Sequence, residues 1–340
     1  MADQIIFTAE DLTRMLIDLP TCNQTIGDQA RARQNSLTKP QGSLGHLEEL
    51  AIWLASWQGR DAPSVADAYC LVFAGNHGIA AKGVSAYPAE VTAQMVMNFE
   101  QGGAAINQLC RVSGAVLKVV ALELDRPTDD LSQGPAMTAE DCARALQVGR
   151  DAVPETADIL LLGEMGIGNS TSAAALSAAC FGGAVKDWTG PGTGLDQSGL
   201  DYKINLIEQA MSCHDNMLTS PFEILRRLGG RELAAIAGAV ICARERGIPV
   251  ILDGYICTAA AAVLTTGATA ALDHCQVAHL SREPGHRVLS EILGKRPILD
   301  LDMRLGEASG AAVALMVLQA AVAVHNGMAT FAEAGVSEHD

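Results

Sequence analysis

The feature that most constrains the fold of this chain is the alternation of short apolar segments with longer amphipathic ones. Five apolar segments rich in leucine and β-branched residues are predicted to be strands, each followed by a polar or glycine-containing turn. They begin at Tyr69, Ala115, Asp158, Ile248 and Cys275. The segments between them, such as 90–112 and 230–247, have helical periodicity. This alternation predicts an α/β fold: a Rossmann-like, doubly wound, mostly parallel sheet with helices on both faces.

The two ends of the chain differ from its middle because they contain helical patterns and no convincing strand. We therefore predict a large α/β domain over residues 61–304 and a smaller helical domain formed by residues 1–60 together with 305–340. Two alanine-rich stretches are apolar, but they are shorter and more polar than the roughly 20 apolar residues that span a membrane. Both are predicted to be core helices, at 257–272 and 308–324, and no membrane partner is expected.

Composition argues against several partners and compartments. The formal net charge is −16 and no run of lysine or arginine is present, so no nucleic acid is expected to bind. The nine cysteines form no CxxC pair, which is typical of free thiols in a reducing compartment. The N-terminal stretch has acidic residues where a signal peptide has basic ones. The protein is therefore expected to be cytoplasmic.

Chemically distinctive turns follow four of the predicted strands. They are GNHG at 75–78, GEMGIGNST at 163–171, DGYICT at 253–258 and SREPGH at 281–286. In open parallel sheets, ligands bind in the crevice outside the carboxyl ends of the strands. We therefore predict that these four turns form one composite ligand site.

The turn after the third strand has the richest chemistry of the four. Gly163 and Gly166 allow a tight turn, Gly168 allows close approach of the backbone to a ligand, and Asn169 is among the residues able to cap the following helix. The N–H groups at that helix start suit a phosphate or carboxylate. Glu164 instead suits a cationic or hydrogen-donating ligand. The motif matches neither GxGxxG nor the P-loop, and a capped turn without a ligand explains it about equally well.

A second glycine-rich loop, at 189–199, precedes a helix that contains Lys203. Consecutive backbone N–H groups in the loop are a candidate anion nest, with Lys203 as the counter-charge. On the loop alone, a plain turn beside a solvated lysine is favoured. Ser281, in the SREPGH turn, is a candidate phosphate contact, and an ordinary proline–glycine turn is the alternative.

Two carboxylates remain ambiguous on local grounds. Asp253 either contacts sugar hydroxyls or caps the next helix, and capping is favoured. Glu307 precedes a long apolar helix, where a raised pKa would suit a general base near neutral pH, although Arg304 would oppose that shift. A glutamate that caps the helix or lies in its first turn is the favoured local interpretation.

Neither a metal nor a cofactor is expected. His274 and His279 have no third ligand nearby, and no paired-aspartate motif for a magnesium–pyrophosphate substrate is present. A nucleotide-dependent oxidoreductase would need a GxGxxG turn with an acidic residue about 20 positions on, and that pattern is absent. A metal-free transferase acting on a phosphorylated nucleotide and a non-catalytic nucleotide sensor both remain, but the sensor has no need for Glu307.

With these motifs in order, nearly the whole chain resembles the nicotinate-nucleotide–dimethylbenzimidazole phosphoribosyltransferase family. The resemblance is carried by seven motifs: LTKPQGSLGHLEELA, FAGNHGIAAKGVSAYPAEVTAQMV, GEMGIGNSTSAAAL, GPGTG, DGYICTAAAA, SREPGH and LDMRLGEASGAA. It implies transfer of ribose 5-phosphate from nicotinate mononucleotide to 5,6-dimethylbenzimidazole, which gives α-ribazole 5′-phosphate and nicotinate. It also implies a homodimer. A related phosphoribosyltransferase that uses another base is the alternative.

The resemblance also implies roles for individual residues. Glu307 is implied to be the general base that removes the benzimidazole N–H proton, with inversion at the anomeric carbon. Glu164 is implied to act at the ribose or at the cationic charge near it. The implied substrate contacts are Ser85, Tyr87, Gln94 and Leu305 in the benzimidazole pocket, and Gly166, Gly168, Asn169, Gly192, Thr193, Lys203, Asp253 and Ser281 elsewhere in the site.

One position departs from the family pattern. The glycine loop of the family usually reads GRGTG, whereas Pro191 replaces the arginine here. Proline removes a cation and one backbone N–H, so it weakens the predicted nest unless Arg282 offsets the loss. Because Pro191 does not involve Glu307, we expect it to affect affinity more than activity.

Overall fold

The structure is a computed structural model of the chain, and it describes residues 8–337. The predictions that involve residues 1–7 and 338–340 lie outside this range. The strands are β1 (Ala68–Ala74), β2 (Val116–Ala121), β3 (Ile159–Met165), β4 (Val250–Leu252) and β5 (Cys275–Val277). The helices are α1 Ala9–Ile17, α2 Gln24–Ser36, α3 His46–Gln58, α4 Glu90–Glu100, α5 Ala105–Ser113, α6 Ala139–Ala152, α7 Asn169–Phe181, α8 Val185–Trp188, α9 Gln197–Cys213, α10 Pro221–Leu228, α11 Arg231–Glu245, α12 Tyr255–Ala262, α13 Pro284–Ile292, α14 Ser309–Gly327 and α15 Phe331–Ala334.

The five strands form one parallel sheet in the order β2-β1-β3-β4-β5. The register pairs Ala74 with Met165, Leu162 with Leu252, and Leu252 with Val277. The predicted parallel α/β fold and all five predicted strands are thus confirmed. After β1, the chain adds β2 on one side of it and then β3, β4 and β5 on the other side, so the strand order switches between β1 and β3. Doubly wound sheets bind ligands at this switch point.

Helices cover both faces of the sheet, because alternate strand residues point to opposite sides. On β1, Leu71 and Phe73 join the core formed with α6, α7, α11 and α12. Cys70 and Val72 join the core formed with α3, α5 and α14. The scarcity of aromatic residues matches close helix packing: a Cβ atom added at Gly149 of α6 would lie 1.8 Å from a backbone oxygen of α11.

The division into a domain at 61–304 and a helical domain from the two ends stays a prediction. In the structure the terminal helices α3 and α14 pack against each other, and both also bury side chains on one face of the sheet. Leu50 of α3 and Leu315 of α14 belong to the same core as Val72 of β1.

α14 is long and apolar enough to cross a membrane by length and composition, and it is the one such helix within residues 8–337. Buried helices of globular proteins pass the same test. Ala311, Ala312 and Leu315 of α14 are fully buried against α3, α5 and the sheet. Its apolar character is therefore explained by packing on the sheet, as predicted for residues 308–324.

Several helices begin at side-chain caps, as local sequence rules predict. Thr138, Asp196 and Ser220 each accept a hydrogen bond from a first-turn N–H of α6, α9 and α10. Other helices begin without such a cap, among them α7 and α14 at the carboxyl edge of the sheet. The cap positions of α7 and α14 are Gly168 and Ala308, and neither supplies a side-chain cap. The first-turn N–H groups of these two helices thus have no partner in their own cap side chains.

Candidate active site

A cavity of about 700 Å³ lies outside the carboxyl ends of the strands. Its lining includes residues 164–170 after β3, 253–256 after β4 and 304–307 before α14. Further lining residues come from the segments after β1 and β5. Three of the four turns predicted to share one site therefore contribute to it. The GNHG turn at 75–78 does not line the cavity, because it packs behind the turn that follows β3.

The start of α7 forms one wall of the cavity, through Gly166, Gly168, Asn169 and Ser170. Gly168 has φ +95°, which favours glycine. Asn169 does not cap α7, and its side-chain amide donates a hydrogen bond to the Glu164 carboxylate. The positive end of the helix dipole thus faces the cavity without a capping carboxylate, which suits an anionic ligand group.

Lys203 is completely buried behind this wall. Its Nζ donates hydrogen bonds to Ser170 Oγ at 2.9 Å and to Gly190 O at 3.1 Å. Burial lowers the pKa of Lys203 to about 8, although Glu283 opposes the shift. The interpretation of Lys203 as a solvated lysine is therefore wrong. The lysine joins the start of α7 to the glycine loop.

The glycine loop does not form the predicted nest of consecutive free N–H groups. The Gly192 N–H donates to Glu283 Oε1 at 3.1 Å, and Pro191 has no N–H. The N–H groups of Gly194 and Leu195 both donate to the Pro191 carbonyl. The loop therefore contributes Gly192 and Thr193 to the cavity lining, while several of its donors are used within the protein.

The cation that lines the cavity near this loop is Arg304, which donates to the Gly192 carbonyl at 3.1 Å. Arg282 instead pairs with Asp302 at 2.9 Å, and both side chains of that pair are exposed. Arg304 is thus better placed than Arg282 to offset the absence of an arginine at Pro191.

Glu307 lies in a strained loop directly before α14. Gly306, Glu307 and Ala308 have φ of 85°, 62° and 62°, a left-handed run that is costly for the two non-glycine residues. The Glu307 N–H donates to Glu164 O at 3.1 Å. Since α14 begins at Ser309 and Ala308 occupies its cap position, the interpretation of Glu307 as a cap or first-turn residue is wrong.

The Glu307 side chain is only 5% exposed, and its Oε2 has no hydrogen-bond partner among residues 8–337. Burial raises the pKa of Glu307 to about 7. Burial also raises the pKa of Glu164 to about 8, and negative charge at Asp253, Glu232 and Glu307 adds to the shift. The hydrogen bond from Asn169 opposes it. Glu164 and Glu307, which both line the cavity, thus titrate near neutral pH.

Asp253 caps a helix, but not the next one in the chain. Its Oδ1 accepts the N–H of Ala311, in the first turn of α14, at 3.0 Å. α12 begins at Tyr255, and its cap position, Gly254, supplies no side-chain cap. Burial raises the pKa of Asp253 to about 7, although the N–H groups of α14 oppose the shift. Asp253 thus joins the end of β4 to the helix that follows Glu307.

Part of the cavity lining is apolar. Val91 and Met95, one turn apart on α4, line it together with Ile167. Tyr87 and Leu305 complete it at the mouth, where each is 56% exposed. These apolar side chains form the kind of surface expected to contact an aromatic, uncharged ligand group.

Two predicted contacts lie at or beyond the rim. Ser85 does not line the cavity, but its Oγ is 2.8 Å from Thr193 Oγ1, which does. Gln94 is exposed on α4 and does not line the cavity, although its neighbour Met95 does. Ser281, 8% exposed, lies in the lining as predicted.

Sequence reasoning missed several lining residues. The clearest are Val91, Met95, His279 and Glu283. Val91 and Met95 are four positions apart, which places them on one face of α4. The sequence does not show whether that face packs in the core or lines a cavity. Glu283 was visible in the SREPGH turn, where its bond to Gly192 was not predictable from local sequence. Among residues 8–337, no group of three or more His, Cys, Asp or Glu side chains is arranged to hold a metal ion.

Comparison with known proteins gives consistent relatives. Residues 19–336 match the family model described as phosphoribosyltransferase. A nicotinate-nucleotide–dimethylbenzimidazole phosphoribosyltransferase from Ruegeria pomeroyi is 57% identical over 309 residues, covering 91% of each chain. One from Mesorhizobium japonicum is 54% identical over 329 residues, covering 97% of this chain and 98% of the relative. The crystal structure of CobT from Thermus thermophilus has a TM-score of 0.87 and 44% identity, covering 93% of this chain and 100% of that one.

The fold, the cavity and the family match together define a phosphoribosyltransferase, an enzyme of the glycosyltransferase class. The match extends over almost the full length of both this chain and its relatives. The chain belongs to the nicotinate-nucleotide–dimethylbenzimidazole phosphoribosyltransferase family.

Proposed function

We propose that the chain transfers ribose 5-phosphate from nicotinate mononucleotide to 5,6-dimethylbenzimidazole, which gives α-ribazole 5′-phosphate and nicotinate. The observation that carries the proposal is the position of Glu307. This buried carboxyl group, with a pKa of about 7, lines a cavity whose lining combines apolar side chains such as Val91 and Met95 with several carboxyl groups. An aromatic acceptor and a charged nucleotide need a cavity that offers both kinds of contact.

In the proposed step, one benzimidazole nitrogen attacks the anomeric carbon while Glu307 accepts the proton from the other nitrogen. The bond between the anomeric carbon and the pyridinium nitrogen breaks, and its electron pair neutralises the leaving ring. Nicotinate leaves, and the proton stays on Glu307. Attack from the face opposite the leaving group inverts the anomeric carbon, which accounts for the α linkage. Glu307 is suited to the step because a general base works best with a pKa near the working pH.

Glu164 has the complementary role in this proposal. Its pKa of about 8 is above that of Glu307, so near pH 7 Glu164 holds a proton while Glu307 can lose one. When two carboxyl groups of one site have separated pKa values, they can serve as acid and base. We assign protonated Glu164 as a hydrogen-bond donor to the ribose.

The phosphate is proposed to lie at the start of α7. The helix dipole is directed at this part of the cavity, with the buried Lys203 ammonium directly behind Ser170. Ser281 adds a hydroxyl group, and Arg304 adds a charge near the mouth. These groups supply local positive potential in a chain whose net charge is −16.

The acceptor ring is proposed to lie against Val91, Met95, Ile167 and Leu305. A mainly apolar wall favours a ring with two methyl groups over a charged or strongly polar base. Related benzimidazoles, adenine and phenolic acceptors remain alternatives for the preferred base. A homodimer in the cytoplasm remains part of the proposal.

The test is an assay with purified protein, nicotinate mononucleotide, 5,6-dimethylbenzimidazole and a chelator, followed by identification of the products. We expect α-ribazole 5′-phosphate and an equal amount of nicotinate. Binding of the mononucleotide without product from any tested acceptor would contradict the transferase proposal and favour the nucleotide sensor. Product from adenine or a phenolic acceptor alone would correct the acceptor and leave the reaction class in place.

The rate is expected to depend on pH in a bell-shaped manner. kcat/KM should rise through about pH 7 as Glu307 ionises, and fall above about pH 8 as Glu164 loses its proton. Lys203, with a pKa of about 8, adds to the fall. Steady-state rates between pH 5.5 and 9.5 measure this profile. A rate that is constant from about pH 5.5 to 8 would contradict the assignment of Glu307 as the base.

A further inference from the structure

Behind the cavity wall lies a buried contact between a histidine and a glutamate that the proposed reaction does not use. His77, in the GNHG turn after β1, has its Nε2 2.5 Å from Oε1 of Glu232, in the first turn of α11. Neither side chain has any solvent exposure. The two residues are 155 positions apart in the sequence, so the contact joins the turn after β1 to the start of α11.

The contact continues to a third element. His77 Nδ1 is 3.1 Å from Ser172 Oγ on α7, and Ser172 also lies 3.4 Å from the Gly229 carbonyl. A serine, a histidine and a carboxylate are thus in series, but Ser172 is completely buried and none of the three lines the cavity. A nucleophilic role is therefore excluded, and the chain of contacts joins the β1 turn, α7 and α11.

The Glu232 carboxylate is enclosed by three glycines. Added Cβ atoms at Gly75 and Gly230 would lie 2.5 Å and 2.7 Å from its Oε2, and one at Gly166 would lie 2.9 Å from its Oε1. Gly166 lines the cavity. The carboxylate therefore contacts the back of the turn whose front faces the ligand, and any side chain at these positions would displace it.

This arrangement is costly for stability alone. Oε2 of Glu232 has no hydrogen-bond partner among the residues that the structure describes, and a buried carboxylate that is incompletely paired destabilises a fold. A contribution of Glu232 to the active site would explain why a carboxylate occupies this buried position. The pKa of Glu164 is raised first by burial, and negative charge at Asp253, at Glu232 of α11 and at Glu307 raises it further, while the hydrogen bond from Asn169 lowers it.

We propose that Glu232, held by His77, is a positioning residue for the transfer: it fixes the turn that contains Gly166 and places a negative charge behind Glu164. This inference rests on the proposed function. The hydrogen bond from His77 sets the orientation of the carboxylate, and the contact with Gly166 transmits that orientation to the cavity wall. The negative charge favours protonated Glu164, the form that donates a hydrogen bond to the ribose.

The test compares Glu232→Gln with Glu232→Asp. Glutamine keeps the length and the bond to His77 but removes the charge, so we expect the alkaline limb of the kcat/KM profile to move down by about half a pH unit. Aspartate keeps the charge but is one methylene shorter, so we expect kcat to fall about tenfold with the limb near its original position. Glu245→Gln, at the other end of α11, is the matched control and should change neither quantity.

Thermal unfolding of each variant checks the fold. The dependence of the mononucleotide Kd on pH reports the same alkaline pKa without requiring turnover. Wild-type protein is assayed in parallel. Absence of product from the wild type would contradict the proposed function, and the Kd profile would then test Glu232 by itself. A Glu232→Gln limb that coincides with that of Glu245→Gln would overturn the inference. If Glu232→Gln does not fold, an unchanged kcat in Glu232→Asp would also overturn it.

Discussion

Replacing Glu307 by glutamine is expected to lower kcat by about 10²- to 10⁴-fold while the mononucleotide Kd stays within about threefold of wild type. Glutamine has nearly the same volume and can keep the buried position, but it cannot accept the benzimidazole proton. Binding of the mononucleotide is proposed to depend on α7, Lys203 and Ser281, none of which changes. Single-turnover rates and calorimetric titration with nicotinate mononucleotide measure the two quantities separately.

Asp302→Asn is the matched control, because Asp302 lies in the same loop but is exposed and paired with Arg282. It should leave kcat within about twofold of wild type. A Glu307→Gln enzyme with wild-type kcat would rule out Glu307 as the base, and a large loss of mononucleotide affinity would indicate a binding role instead.

The stability of Glu307→Gln provides an independent check. The pKa of Glu307 is about 7 in the folded protein, above its ordinary value of 4.5, so the folded state holds the proton more tightly than the unfolded state. This group therefore loses its contribution to stability as the pH rises from about 4.5 to above 7. Glutamine does not titrate, so the gain in Tm over wild type should be larger at pH 8 than at pH 5.

The second large effect is expected for Gly163→Ala. A Cβ atom at Gly163 would lie 2.2 Å from Ala308 N and 2.6 Å from Ala308 Cα and Cβ. Two of these atoms are backbone, so the loop that contains Glu307 must move away from β3. We expect the free energy of unfolding to fall by about 1–3 kcal/mol and kcat/KM to fall at least tenfold, since the Glu307–Glu164 backbone hydrogen bond would be disrupted.

Denaturant unfolding and steady-state kinetics measure these two effects. Gly134→Ala is the matched control, because a Cβ atom at Gly134 would meet no atom within 4 Å. It should change neither stability nor rate appreciably. If Gly163→Ala retained full activity, the close contact between β3 and the Glu307 loop would not be needed for the geometry of the site.

Some parts of this site were predictable because their causes are local. The apolar runs of the strands and the glycines at 163–168 are short-range patterns, and the parallel sheet follows from the regular alternation with helices. The placement of chemically distinctive turns at one edge then follows from topology. The GNHG turn nevertheless lies behind the cavity wall and does not line the cavity, because His77 contacts Ser172 of α7 and Glu232 of α11.

The sequence by itself determined that the chain forms a parallel α/β sheet whose turns bring Glu164, Asp253 and Ser281 to one edge. The tertiary structure alone decided how several groups are used: Asp253 caps α14, Lys203 is buried, Gly192 donates to Glu283, and Glu307 precedes its helix in a left-handed loop. The physical reason is that each of these depends on atoms contributed by distant parts of the chain. Close contacts such as that between Gly163 and Ala308 arise only when the sheet and its helices pack together.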